Sequence, residues 1–231
     1  AQLVGHRRQG PQDVVVLHGA GVGVPQPVLE LGARLDGRRP LGGQVHEPVL
    51  DGGELGLRLA QLLDEALGGV EAERLGHVGV VADAEHLPFA PRTFDVVFSS
   101  NLWEHVRRPE AVADSLLDAL APGGVLFLAY TNWLSPWGGH ETSPWHWLGG
   151  ERAARRYERR HGHPPKNLVD ESLFRVSVAQ GLAWARSVEQ RGGELIDARP
   201  RYWPDAARAV LRVPGLREIA TWNLLVLVRR G

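Results

Sequence analysis

Hydrophobic and polar positions change their pattern along this chain near residue 77. Before it, "ELGLRLAQLLDEAL" (54–67) sets apolar residues at helical spacing, and residues 14–17 would make a short strand. After it come short apolar runs of the buried-strand type. "HVGVVAD" (77–83) ends in Asp, "FDVVFSS" (94–100) is a second run, and "VLFLAYT" (125–131) is a third. "PEAVADSLLDALAPGG" (109–124) reads as an amphipathic helix, with Pro109 at its start and Pro122-Gly123-Gly124 as its stop. "SLFRVSVAQGLAWARSVEQRG" (172–192) predicts a further helix, and "TWNLLVLVRR" (221–230) a final strand. Strands alternating with helices imply an α/β fold with a parallel sheet and right-handed crossovers.

Composition deepens the division. All the Phe, Trp and Tyr residues lie from Phe89 onward, and residues 1–88 contain no Ser, Thr, Asn, Ile, Lys or Met. That segment uses only Ala, Arg, Asp, Gln, Glu, Gly, His, Leu, Pro and Val, the amino acids whose codons begin with C or G. GC-rich DNA read out of frame or on the opposite strand yields this alphabet, whereas ordinary low-complexity bias favours a few residues rather than a codon class. The expected organisation is therefore an atypical segment 1–76, out-of-frame or antisense in origin and poorly ordered, followed by a domain over 77–231. A net charge of −1 gives no general pull toward nucleic acid. The chain has no Cys and no apolar run of the roughly 18 residues a span needs, so a cytoplasmic protein without stable membrane insertion is expected.

The segment from Asp83 to Trp133 resembles class I S-adenosylmethionine-dependent methyltransferases, specifically the type 11 methyltransferase domain. The matching elements are Asp83-Ala84-Glu85 with Leu87-Pro88-Phe89, Phe94-Asp95-Val96-Val97, Glu104-His105, and Leu120-Ala121-Pro122-Gly123-Gly124. "YTNWLSPWGGHETSPWHWLGG", "RYERRHGHPPKN" and "GLAWA" extend the likeness toward a subgroup from high-GC bacteria. The resemblance implies a Rossmann-like sheet with helices on both faces, incomplete at its N-terminal side, and S-adenosyl-L-methionine as cofactor. It assigns the adenine end to Asp83 and Ala84, and the methionine and methyl region to Asn101 and Leu102, with Ser100 at the same strand end. The acceptor it implies is a small or lipid-like molecule.

Sulfonium methyl transfer is an in-line displacement governed by alignment, so a general base is optional. The candidates are His105, His140 and His146. The last two lie in the loop 132–150, which carries Trp133, Trp137, Trp145 and Trp147. Directly after the third strand, this loop would stand over the pocket as an aromatic lid. No metal is expected, since His140, His146 and "HGH" (161–163) lack a familiar ligand spacing. In "ERAARRYERR", Arg152, Arg155, Arg156, Arg159 and Arg160 share one helix face, read as a solvated face partly paired to Glu151 and Glu158.

The family also needs a glycine loop after its first strand, with an acidic residue two places earlier. Gly19, Gly21 and Gly23 are weak candidates because Leu17 occupies that acidic place. Asp51 is a weak candidate for the ribose, since it lies too far along the chain. Two alternatives stay open at this level: a non-catalytic or truncated methyltransferase remnant, and an NAD(P)-dependent Rossmann oxidoreductase using Gly19–Gly23.

Overall fold

A computed structural model describes residues 83–231 and, ahead of them, the backbone of two strands, β1 (Gln12–His18) and β2 (Arg34–Leu35). The expected helix at 54–67, residues 77–82 of the expected strand 77–83, and Gly19, Gly21, Gly23 and Asp51 lie outside the described residues. The remaining strands are β3 (Phe94–Ser100), β4 (Leu120–Thr131), β5 (Gly193–Pro200) and β6 (Asn223–Arg230). They form one mixed sheet in the order β2-β1-β3-β4-β6-β5. β1, β3 and β4 run parallel, as the strand–helix alternation requires, whereas β6 is antiparallel to both β4 and β5. The parallel sheet implied by the alternation holds for β1, β3 and β4, and β6 departs from it. β5 and β6 are joined through the short helical segments of 205–220 rather than by a crossover that would restore direction.

The sequence pattern explains each element. Helix α1 (Pro109–Ala119) opens on a proline, whose missing N–H costs nothing at a first turn, and buries Val112, Ala113, Leu116 and Leu117. β4 begins at Leu120, earlier than the apolar run 125–131, because Leu120 already pairs with Phe94. Helix α2 (Gly150–His161) is polar nearly all round and buries Ala153. Helix α3 (Val178–Ser187) starts later than the periodicity predicts. Ser177 caps it by accepting the Gln180 N–H at 3.1 Å, and residues 168–173 fold into a local turn instead. Helix α4 (Leu216–Ala220) is a short turn whose Glu218 accepts the Val178 and Ala179 N–H groups at 2.7 and 2.8 Å. That carboxylate satisfies two orphan donors at the α3 N-terminus.

Alternation along the strands gives the sheet two apolar faces. On one, Val97, Leu126, Leu128, Leu224 and Val226 pack with α1 and α3 into the main core. There Trp103 is fully buried against Tyr130 and Trp184, with ring centroids 5.0 and 5.8 Å away. Trp184 Nε1 donates to Asp114 at 2.9 Å and joins α3 to α1. On the other face, Phe98 stacks on Phe127 at 4.5 Å beside Leu225 and Leu227. The 3-10 segment Asp205–Arg212 is held at the edge of that face by Arg208–Asp197 and Arg199–Asp205 ion pairs at 2.6 and 3.0 Å. Among the described residues, no helix is long and apolar enough to cross a membrane.

Candidate active site

Open α/β sheets bind ligands beyond the carboxyl ends of their parallel strands. Here that edge is made by the ends of β3 and β4 and the start of β6. His18, the last residue of β1, pairs with Ser100, so β1 delivers the chain to the same edge. Asn101 follows β3 in the left-handed backbone region (φ 53°), an uncommon conformation that Asn tolerates better than most residues. Its N–H donates to Ala129 at 2.8 Å, and its Oδ1 accepts from Asn223 Nδ2 at 3.0 Å. Ser100 is buried and its Oγ accepts from Arg201 at 2.8 Å. Leu102 is fully buried, so its side chain belongs to the core.

Asp83 lies at the described start of the domain, with its side chain 57% exposed. Its Oδ2 lies 2.9 Å from His86 Nδ1 and its Oδ1 accepts the Glu85 N–H at 3.0 Å. The His86 hydrogen bond first, and the Glu85 amide after it, hold this carboxyl below its ordinary value. Ala84 beside it is buried. The structure thus places Asp83 and Ala84 together at the described start of the domain, and Ser100, Asn101 and Leu102 together at the end of β3.

The three candidate histidines separate. His105 and His140 meet, with ring centroids 5.1 Å apart, beside the buried carboxylate of Glu104. His105 Nδ1 lies 2.6 Å from the Ser172 carbonyl. Burial, followed by the neighbouring His105, pushes the His140 imidazole down to about 4. His146 stands apart, buried, with Nε2 2.9 Å from the Trp133 carbonyl, and burial lowers its value too. It forms a wall of a cavity of about 390 Å³ together with Trp133, Leu134, Trp147, Arg175 and Ile219.

The loop 132–150 folds as a hydrogen-bonded cap. Asn132 is fully buried and donates to the Glu218 and Thr221 carbonyls. Glu141 accepts from both the backbone and side chain of Asn167 at 2.8 and 2.9 Å. Gly139 is required by packing, since a Cβ there would lie 2.4 Å from the His146 ring. The tryptophans take different roles. Trp137 stacks on Trp222 at 4.6 Å, and Arg156 covers Trp145 at 4.0 Å, whereas Trp133 and Trp147 line the cavity. Of the arginine face on α2, Arg155 pairs with Glu151 at 3.2 Å and the helix is otherwise largely exposed, matching a solvated face.

Methyltransferase domain is the family description that matches this chain, over residues 60–128. The match begins inside the ten-letter segment and runs through β3, α1 and most of β4. An uncharacterized methyltransferase of Mycolicibacterium gilvum is 49% identical over 150 residues, covering 65% of this chain and 57% of that protein. One from Mycolicibacterium vanbaalenii is 46% identical over 164 residues, covering 71% and 62%. The chain carries a methyltransferase domain. It spans less than two thirds of the length of these mycobacterial relatives. The crystal structure of an S-adenosylmethionine dependent methyltransferase from Mesorhizobium loti aligns with a TM-score of 0.38 and 17% identity, covering 74% of this chain and 76% of that one.

Within this methyltransferase domain, sequence reasoning missed several residues of the edge. Glu104 appeared only as a motif letter, although a carboxylate directly after the apolar pair Leu102-Trp103 and close behind a strand marks a candidate buried polar group. Arg201 and Asn223 gave no local signal, because only the sheet brings them to Ser100 and Asn101.

Proposed function

We propose that the protein transfers the methyl group of S-adenosyl-L-methionine to a small-molecule or lipid-like acceptor held beneath the 132–150 loop. The observation that carries this reading is adjacency. The cavity's wall begins at Trp133, two residues after β4 ends at Thr131, and Thr131 pairs with the Asn223 that meets Asn101. Its apolar walls and the Arg175 guanidinium beside Trp133 suit a largely apolar acceptor carrying a polar or anionic group.

The residues fit the cofactor's adenine end. Asp83 keeps an exposed carboxylate, pre-set by His86 and Glu85, for an exocyclic amino group, and the Ala84 backbone N–H is assigned to a ring nitrogen. Asn101 and the Leu102 backbone are assigned to the methionine end. When bound, the cofactor supplies an electrophilic methyl group on its sulfonium. The chain's own contribution is alignment of the acceptor and exclusion of water by the hydrogen-bonded cap. His146, at the cavity wall, is the histidine positioned to orient an acceptor.

Calorimetric titration with S-adenosyl-L-methionine tests this. Saturable micromolar binding is expected, weakened about tenfold or more in Asp83→Ala, since a hydrogen bond to a charged group is worth about 1.5–3 kcal/mol. Wild-type protein that gives no saturable heat would support the second reading, a non-catalytic remnant. That reading draws on the restricted alphabet of residues 1–88.

A further inference from the structure

Glu104 is 1% exposed, and its environment leaves it half satisfied. Oε1 accepts the Thr131 N–H at 3.0 Å, while Oε2 has no hydrogen-bond partner. Facing it is His140, whose Nε2 is buried without a partner, 4.0 Å from Glu104 Oε1. The third member, His105, has Nδ1 against the Ser172 carbonyl at 2.6 Å. A carbonyl only accepts, so Nδ1 carries the proton and Nε2 holds a lone pair. Metal-ligating histidines are set in this way, with the second nitrogen donating to a carbonyl or carboxylate. One candidate ligand atom from each of the three residues lies within 4.8 Å of the others.

We propose that Glu104, His105 and His140 form a binding site for a zinc-class divalent cation, with a fourth position left to water or another ligand. Two imidazoles and one carboxylate match the preferences of such ions, whereas magnesium and calcium take oxygen. Ligands about 2.0–2.1 Å from a tetrahedral ion sit about 3.3 Å apart, so the 4.0 Å pair must close by less than about 1 Å. The cap is built to present His140 here. His140 holds a left-handed backbone (φ 50°) and follows Gly139, which packs directly on the His146 ring. Without a cation, burial raises the Glu104 carboxyl and lowers the His140 imidazole to about 4, so both resist charging and an ion pair does not resolve the orphan atoms. Spacing within the loop carries no sign of such a site, because the partners of His140 follow a different strand, β3.

The full chain, stripped with a chelator, is titrated with ZnCl2 by calorimetry and with CoCl2 by visible absorption. One equivalent at micromolar affinity or tighter is expected, with the intense visible bands of four-coordinate cobalt. E104Q and H140A each lose at least about tenfold in affinity, on the scale of a lost metal-site contact. H163A, at an exposed histidine, leaves binding unchanged. The chain has ten histidines, so weak binding of equal strength in every variant overturns the proposal, as does no binding. If E104Q does not fold by circular dichroism, H105Q takes its place beside H140A under the same criteria. Neither cofactor nor acceptor enters these titrations, so their outcome is independent of methyl transfer.

Discussion

Gly181→Ala should destabilise the protein, although alanine is the better helix former. Gly181 lies inside α3, where the exchange alone would contribute about 1 kcal/mol of stability. At this position α3 rests on β4 and β6. An added Cβ would meet Tyr130 Oη at 2.2 Å, Leu224 Cδ2 at 2.9 Å and Tyr130 Cε1 at 3.0 Å. The Tyr130 ring is fully buried, and its hydroxyl donates to the Ser177 carbonyl at 2.7 Å. Moving it aside breaks that bond and strands a buried hydroxyl, at about 1–3 kcal/mol. Overpacking the neighbours costs about 1–3 kcal/mol more. The balance is a net loss of about 1–5 kcal/mol, read as a lower midpoint in urea denaturation. Tyr130→Phe removes the closest clash and loses about 1 kcal/mol by itself. In a double-mutant cycle, the two changes together should therefore cost less than their sum by at least about 1 kcal/mol. A G181A protein as stable as the wild type, or a strictly additive cycle, would refute the reasoning.

Two further predictions follow from the caps and turns. Glu218→Ala removes the acceptor of two α3 amides, so stability should fall by about 2–4 kcal/mol in urea denaturation, with Glu218→Gln recovering part of it. Asp83 has a depressed carboxyl, so its contribution is present above the unfolded carboxylate range and is lost as pH falls through the lower folded value. His86→Ala should move its titration midpoint upward, as followed by carboxyl-carbon NMR.

The sequence made the parallel part of the fold legible where burial and periodicity coincide. β3 centres on the buried apolar run Val96-Val97-Phe98, and α1 combines a clear amphipathic stripe with proline at its first turn, so both were visible locally. β5 was not, because Asp197 and Arg199 interrupt its apolar pattern. Their charges are tolerated inside because Arg208 and Asp205 reach them from the following segment, a pairing no local window contains. The antiparallel direction of β6 was hidden for a related reason: an apolar run records burial, not orientation. At the candidate site, Asn101 follows β3 and Asp83 closes the apolar run 77–83 of the sequence, so both are readable from position. Glu104 and His140 become neighbours only through the cap, whose turn at Gly139 depends on the distant ring of His146.

The placement of β6 between β4 and β5 also dictates an order of assembly. Among the described residues, β5 pairs with β6 alone, so during synthesis β5 has no strand to dock on until residues 223–230 have been made. Until then β4 keeps one hydrogen-bonding edge open. The last strand must insert into a waiting gap rather than add to an outer margin. Such non-local closure is slow and leaves sticky intermediates. Ribosome-bound chains halted after β5 should therefore recruit chaperones, and release should occur only once the final strand is free to enter.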